Sequence, residues 1–144
     1  MMINDSPDKS AEQLELEGQL RSFRDALRMH QVEVRTSYDI SATEMEIVLY
    51  VDKNGPQKMK QVGELFDVKF STLTSLVDKI ENSGLVRRAP SKDDRRSIMV
   101  MLTKKGKKMV DDYDKQIESL ANFLISKGAA HEVAVVLSEF AALS

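Results

Sequence analysis

The chain has 144 residues, with 21 Lys and Arg, 23 Asp and Glu, and a formal net charge of −2. It has no cysteine, which excludes thiol catalysis, disulfides and thiol-based redox sensing. This length predicts one domain, residues 1–144, large enough to bury most of its apolar surface without crosslinks. There is no apolar run near the ~20 residues of a membrane span and no signal-peptide pattern, so we expect a cytoplasmic protein without membrane contact.

The first predicted element is a long helix over residues 10–35, which follows a polar tail at residues 1–9. Ser10 and Gln13 have the spacing of a capping box at its start. Its buried side is marked by Leu16, Leu20, Phe23, Leu27 and Val34. Because the helix is longer than one small core needs, we expect part of it to pack on another subunit.

The second helix has the best-specified start in the chain. Ser41 and Glu44 form a capping box, and Ile40 and Met45 stand at the two positions of a hydrophobic staple. A Gly-Pro pair at residues 55–56 ends the segment.

Two short helices joined by three residues are predicted next, over residues 59–66 and 70–83. The buried stripe of the second helix consists of Leu73, Leu76, Val77 and Ile80. Its opposite face carries small polar or basic side chains, namely Ser71, Thr72, Ser75 and Lys79. Gly84 follows as a C-terminal glycine cap. This arrangement matches a helix-turn-helix, and its hydroxyls can serve phosphates and base edges.

A β-hairpin follows, with extended runs at residues 86–89 and 98–102 around a polar loop. We call this hairpin, residues 86–102, the wing. Nine basic and only two acidic residues lie between Arg87 and Lys108, although the chain as a whole is slightly acidic. Such an asymmetry is typical of a polyanion-binding surface. A solvated basic loop is the alternative from charge alone, and the helix-turn-helix just upstream favours nucleic acid.

Two further helices complete the predicted order α-α-α-α-β-β-α-α. Thr103 is the predicted N-cap of a helix that runs to about Lys127, and Gly128 closes it. The last helix, residues 129–143, is apolar over most of its surface, which predicts burial in a partner subunit. Residues 10–35 and 104–144 are therefore the predicted dimerisation helices of a homodimer.

Asp94-x-Arg96 followed by Leu102-Thr103-x-x-Gly106 resembles the wing signature of MarR-type (multiple antibiotic resistance regulator) transcription factors. Residues 62–66, 71–74 and 80–86 resemble the helix-turn-helix of that family, and the resemblance covers essentially the whole chain. It implies a mainly α (α+β) fold, a winged helix-turn-helix with a two-stranded β wing and long N- and C-terminal dimerisation helices. It also implies a transcriptional repressor that binds palindromic double-stranded DNA as a homodimer and often releases it on binding a small-molecule effector.

The DNA-binding lobe would span residues 41–103, with the helix at 70–83 in the major groove and the wing at the flanking minor groove. The predicted DNA-binding residues are Lys69, Ser71, Thr72, Thr74, Ser75, Lys79, Arg87, Arg88, Lys92, Asp94, Arg95 and Arg96. By resemblance, Asp94 orients Arg96 through a charge-assisted bond. Phe70 and Ser75 stand where family members often carry arginine, a departure that concerns base readout and leaves the wing unaffected.

No catalytic motif points to an enzyme, and no cofactor or metal is expected. His30 and His131 are isolated in the sequence, so ordinary helix histidines are favoured over metal ligands. By resemblance, an effector pocket would lie between the dimerisation helices and the DNA-binding lobe. His30 and Tyr38 are its candidate lining residues, with a structural role as the alternative. A winged-helix protein-interaction module without specific DNA binding is the competing function.

Overall fold

The computed structural model describes residues 9–143, so residues 1–8 of the tail predicted at residues 1–9, and the final residue, lie outside the description. The described elements, in chain order, are α1 (Ala11–Ser37), α2 (Ala42–Asn54), β1 (Gln57–Lys58), α3 (Met59–Leu65), α4 (Phe70–Asn82), β2 (Val86–Pro90), β3 (Ile98–Leu102), α5 (Lys104–Ser126) and α6 (Ala130–Ala142). Every predicted helix is present, and the bounds differ from the predicted ones by only a few residues.

The helix starts follow the capping residues of the sequence. The Ser10 hydroxyl accepts a hydrogen bond from the Gln13 backbone N–H, which caps α1. Both halves of the predicted box at α2 form, since the Ser41 hydroxyl accepts from the Glu44 N–H and the Glu44 carboxylate accepts from the Ser41 N–H. These bonds satisfy backbone donors that a helix N-terminus otherwise leaves unpaired.

The sheet corrects the predicted topology, because it has three antiparallel strands in the order β1-β3-β2. The hairpin of β2 and β3 forms as predicted, with Val86 opposite Leu102 and Pro90 opposite Ile98. The strand missing from the prediction is β1, in which Gln57 and Lys58 pair with Val100 and Met99. Two residues are too few to show the alternation that identifies a strand.

One core joins the end of α1, α2, α3, α4, the sheet and the start of α5. Its buried apolar residues are Val34, Ile40, Met45, Ile47, Val48, Val51, Met59, Val62, Leu73, Val77, Ile80, Leu85, Val86, Val100, Met109 and Val110. Ile40 and Met45, the two staple positions, are both among them. The stripe of α4 is buried as predicted, with Leu76 partly buried at its edge.

The start of α5 is held against the turn between α4 and β2. The Thr103 hydroxyl donates to the Gly84 carbonyl at 2.5 Å and accepts from the Gly106 N–H at 3.0 Å. Gly106 is buried, and a Cβ placed on it would lie 2.1 Å from the Leu85 carbonyl oxygen. The Leu-Thr-x-x-Gly sequence therefore fixes the angle at which α5 leaves the sheet.

Much of the apolar surface of α1 and α6 remains exposed in the single chain. On α1, Leu16 is 54% and Leu20 is 58% exposed, although both lie on the side predicted to be buried. On α6, Val136 is 63% and Leu137 is 62% exposed, and no residue of this helix is buried within the described chain. Their burial against a second copy stays a prediction.

Candidate nucleic-acid interface

The exposed face of α4 is set by how α3 packs on it. Leu73 is fully buried, and a Cβ on Gly63 of α3 would lie only 3.3 Å from its Cδ2. Asp67 in the connecting turn has a φ of 49°, which turns the chain sharply between the two helices. With its apolar stripe inward, α4 exposes Ser71, Thr72, Ser75 and Lys79, while Thr74 is half-buried.

Two of the predicted DNA-contacting hydroxyls are already hydrogen-bonded within α4. The Thr74 hydroxyl donates to the Phe70 carbonyl at 2.9 Å, and the Ser75 hydroxyl donates to the Ser71 carbonyl at 3.1 Å. In this conformation each hydroxyl can still accept a hydrogen bond but has no proton left to donate. Lys69, at the N-cap of α4, is exposed and makes no side-chain cap, unlike the residues that cap α1 and α2.

The tip of the wing is organised by Asp94. Its carboxylate accepts a hydrogen bond from the Arg96 backbone N–H at 3.0 Å and another from the Ser97 hydroxyl at 3.2 Å. The Ser97 N–H donates to the Asp94 carbonyl at 2.9 Å and closes a turn. Asp94 thus holds Arg96 through its backbone, whereas the sequence prediction did not specify which atoms of Arg96 it would hold.

The basic side chains of the wing fall into two groups. Arg87, Lys92, Arg95 and Arg96 are all exposed, and within residues 9–143 none of them forms an ion pair. These unpaired cations surround the tip and base of the hairpin. They are available to phosphates without first giving up a protein partner.

Arg88, which is also among the predicted DNA-binding residues, points to α4 and is paired there with two acidic side chains. Its Nε lies 3.0 Å from a Glu81 carboxylate oxygen, and its Nη2 lies 2.5 Å from a carboxylate oxygen of Asp78. The Glu81 carboxylate also accepts the Arg88 backbone N–H at 3.1 Å. Glu81 first and then Asp78 raise the pKa of Arg88. This cluster clamps the wing to α4, and sequence reasoning overlooked it although the two acids stand three residues apart on one helix.

The lysines at the start of α5 are mostly engaged with the protein. Lys105 donates to the Ser83 carbonyl at 2.7 Å, and Lys107 lies 3.2 Å from the Asp52 carboxylate. The hydrogen bond with Asp52 raises the pKa of Lys107. The unpaired positive charge of the basic segment is therefore concentrated in the wing.

His30 and Tyr38, the candidate effector residues, line an open groove of about 250 Å³ between α1 and α5. The Tyr38 hydroxyl donates to the Asp112 carboxylate at 2.6 Å, and His30 Nε2 lies 3.0 Å from the Asp112 carbonyl oxygen. Partial burial and then Asp112 raise the pKa of Tyr38, while the Tyr38 hydroxyl, with Lys115 and Lys108, lowers the pKa of Asp112. Both candidates thus have a structural role in joining the two helices.

Comparisons with known proteins agree with this geometry. The model of the MarR family matches residues 40–98, from the start of α2 to the wing. A crystal structure of a MarR-like transcriptional regulator from Thermotoga maritima is 30% identical, with 94% of this chain and 95% of that chain covered and a TM-score of 0.68. The chain belongs to the MarR family.

Other members show the same relationship. The transcriptional regulator PecS of Dickeya dadantii is 30% identical over 106 residues, which are 72% of this chain and 64% of PecS. FabT of Streptococcus pneumoniae, solved in complex with DNA, is 26% identical to this chain, with a TM-score of 0.66. The match covers 92% of this chain and 94% of the FabT chain. The chain spans less than two thirds of the length of the first curated relatives that it matches.

The curated relatives are named as transcriptional regulators, not as enzymes. Among residues 9–143, no three His, Cys, Asp or Glu side chains converge as metal ligands. No helix in this part of the chain is long and apolar enough to cross a membrane.

Proposed function

We propose that this chain is a sequence-specific, DNA-binding transcriptional regulator, a ligand-responsive repressor that binds a palindromic operator as a homodimer. The observation that carries the proposal is the set of unpaired cations on the wing, Arg87, Lys92, Arg95 and Arg96, beside the exposed polar face of α4. Four such cations could each neutralise a phosphate and release a counterion. A regulator of this kind acts where the DNA is, which is the reason to expect it in the cytoplasm.

In this proposal, residues 41–103 form the DNA-binding lobe, and α4 enters the major groove. Ser71, Thr72 and Ser75 would meet phosphates and base edges, and Lys69 and Lys79 would add phosphate contacts at the two ends of the exposed face. Arg95 and Arg96 would reach the flanking minor groove, where a narrow A·T-rich groove attracts arginine. Arg88 would take part indirectly, by holding the wing against α4.

The direct test starts with selection of preferred duplexes from a random pool by the purified protein. Affinity for the selected duplex is then measured at several salt concentrations for the wild type and for Arg96→Ala. The loss of one phosphate contact should weaken binding by about 1–3 kcal/mol and lower the salt slope by about one unit. Arg24→Ala is the matched control, since Arg24 carries the same charge but is paired with its neighbour Asp25 on α1.

Unchanged affinity for Arg96→Ala, with an intact fold, would remove the wing from the interface. Absence of any salt-dependent binding to duplex DNA by the wild type would instead favour the protein-interaction module.

Two substitutions of Asp94 distinguish a role in positioning Arg96 from simple charge repulsion of the DNA. Asp94→Asn removes a negative charge near DNA but keeps an oxygen that can accept the Arg96 N–H, so it should bind at least as tightly as the wild type. Asp94→Ala removes the same charge and also the turn-forming acceptor, so it should bind more weakly than Asp94→Asn. Equal affinities for the two variants would contradict a positioning role.

The homodimer is proposed from the exposed apolar faces of α1 and α6, since patches of this kind on a single chain usually mark an interface. Residues 10–35 and 104–144 would form it. Leu137→Asp should shift the mass measured by light scattering towards 16.2 kDa, whereas Ser138→Asp adds the same charge at a polar position of α6 and should leave the dimer intact. A stable wild-type monomer at micromolar concentration would overturn this part.

A two-fold dimer also fixes the spacing of the operator. Two symmetry-related copies of α4 must enter successive major grooves on one face of the duplex, so half-site centres should lie ~34–36 Å apart, or about 10 bp. Footprinting of the selected duplex should show this two-fold symmetry. An asymmetric footprint would count against the dimeric mode.

The ligand-responsive part of the proposal concerns the groove at His30 and Tyr38. An effector entering it would have to compete with the bond between Tyr38 and Asp112, which joins α1 to α5. Tyr38→Phe removes that hydrogen bond with little change in shape. The variant should therefore differ from the wild type in its affinity for the operator when no effector is present. Identical affinities for the wild type and Tyr38→Phe would show that this groove does not regulate DNA binding.

A further inference from the structure

Phe70 is an exposed aromatic residue at the DNA-facing end of α4. It is the first residue of that helix, and 69% of it is exposed although large apolar side chains are usually buried. The core beneath α4 is filled by Leu73, Val77 and Ile80, so Phe70 is not needed to complete it. With Met59, Val68 and Leu73 it lines an open groove between α3 and α4.

The first nine residues of α4, residues 70–78, contain no Arg, Lys, Asn or Gln. These are the side chains that read guanine or adenine through paired hydrogen bonds in the major groove. The hydroxyls of Thr74 and Ser75 already donate hydrogen bonds to backbone carbonyls of the helix. The entering end of α4 is therefore poor in hydrogen-bond donors and carries one large apolar side chain.

From this we infer that Phe70 is a specificity-determining residue that packs on the 5-methyl group of a thymine in each half-site. The inference rests on the proposed function and adds to it which base this helix selects and by what contact. Thymine is the only base that presents a methyl group in the major groove, and phenylalanine is among the side chains suited to contact it. An apolar contact of this kind discriminates by desolvation, so it adds specificity without changing the number of counterions released.

The test uses duplexes selected by the wild-type protein, in which each thymine is replaced in turn by deoxyuridine. This replacement removes only the methyl group and leaves base pairing unchanged. Burial of one methyl group corresponds to about 0.8 kcal/mol, so one replacement should weaken wild-type binding about fourfold. Replacement of the symmetric pair should weaken it about fifteenfold, if the half-sites act independently.

Phe70→Ala should bind the selected duplex more weakly than the wild type, and it should lose the discrimination between thymine and deoxyuridine at that one position. Because Phe70 is exposed, this variant should keep the helical circular dichroism of the wild type. Leu65→Ala is the matched control, since Leu65 is also an exposed apolar residue, 55% exposed, but ends α3 rather than beginning α4. It should retain the full dependence on the thymine methyl.

A gain of function completes the test. Phe70→Arg places a guanine-reading side chain at the same position, so a new selection from the random pool should replace the critical thymine by guanine in each half-site. The inference is overturned if no deoxyuridine position distinguishes wild type from Phe70→Ala, or if Phe70→Arg selects the same sequence as the wild type. Failure of the wild type to select any duplex would instead overturn the proposed function itself.

Discussion

Replacement of Gly106 by alanine should destabilise this protein, although the same change in most helices is stabilising by about 0.5–1 kcal/mol. The added Cβ would lie 2.1 Å from the Leu85 carbonyl oxygen and 2.7 Å from Leu102 Cδ1. That oxygen belongs to a buried residue and accepts the Thr103 N–H, so it cannot rotate away as a flexible side chain would. Overpacking of a rigid site costs about 1–3 kcal/mol, and the backbone contact here favours the upper end.

The free energy of unfolding should therefore fall by about 2 kcal/mol, which would appear as a lower midpoint of urea unfolding at a fixed protein concentration. Gly18→Ala is the matched control because a Cβ on Gly18, in α1, would meet nothing within 4 Å. This control should raise the free energy of unfolding by up to about 1 kcal/mol and so raise the urea midpoint. If Gly106→Ala unfolds at the same urea concentration as the wild type, the close packing of α5 on the wing is not what requires glycine.

Three other substitutions probe contacts that hold the fold together. Ser41→Ala should cost about 0.5–2 kcal/mol in urea unfolding, because it removes one half of the capping box with Glu44; a smaller loss would mean that the box adds little. Arg88→Ala should speed hydrogen exchange of the β2 and β3 amides while leaving the salt slope of DNA binding unchanged, whereas a fall in that slope by about one unit would show that Arg88 contacts phosphate. Asp112 has a lowered pKa in the folded state, so it stabilises the fold above its ordinary pKa of 3.8 and loses that effect as the pH falls below it. Asp112→Asn should therefore lower the unfolding midpoint at neutral pH by an amount that shrinks below about pH 4, and a pH-independent difference would contradict this account.

The helices could be predicted because periodicity and capping are local properties. The stripe of α4 and the box at Ser41 each depend on residues within one or two turns, and both appear in the structure as the sequence indicates. The wing hairpin is also local, since its two strands are separated by one loop. The family resemblance added the expectation that these elements form a winged helix-turn-helix.

The remaining features depend on contacts between segments that are distant in sequence or on the choice of a hydrogen-bond partner. The strand β1 exists only because Gln57 and Lys58 meet the far edge of β3, more than 40 residues away. Arg88 looks like any other wing cation in the sequence, and only the fold brings it to Asp78 and Glu81. Pattern analysis places charge on a surface, but it cannot tell which charges already have partners.

These contacts together link the wing to the two helices that flank it in the sequence. The Arg88 cluster joins the wing to α4, and the Thr103 cap with the close contact at Gly106 joins the turn before the wing to α5. The wing, α4 and the start of α5 are therefore joined by direct contacts. Farther along α5, the bond between Tyr38 and Asp112 links this helix to the end of α1. In the dimer proposed above, a change in the packing of α1 on α5 is therefore expected to alter the separation of the two copies of α4.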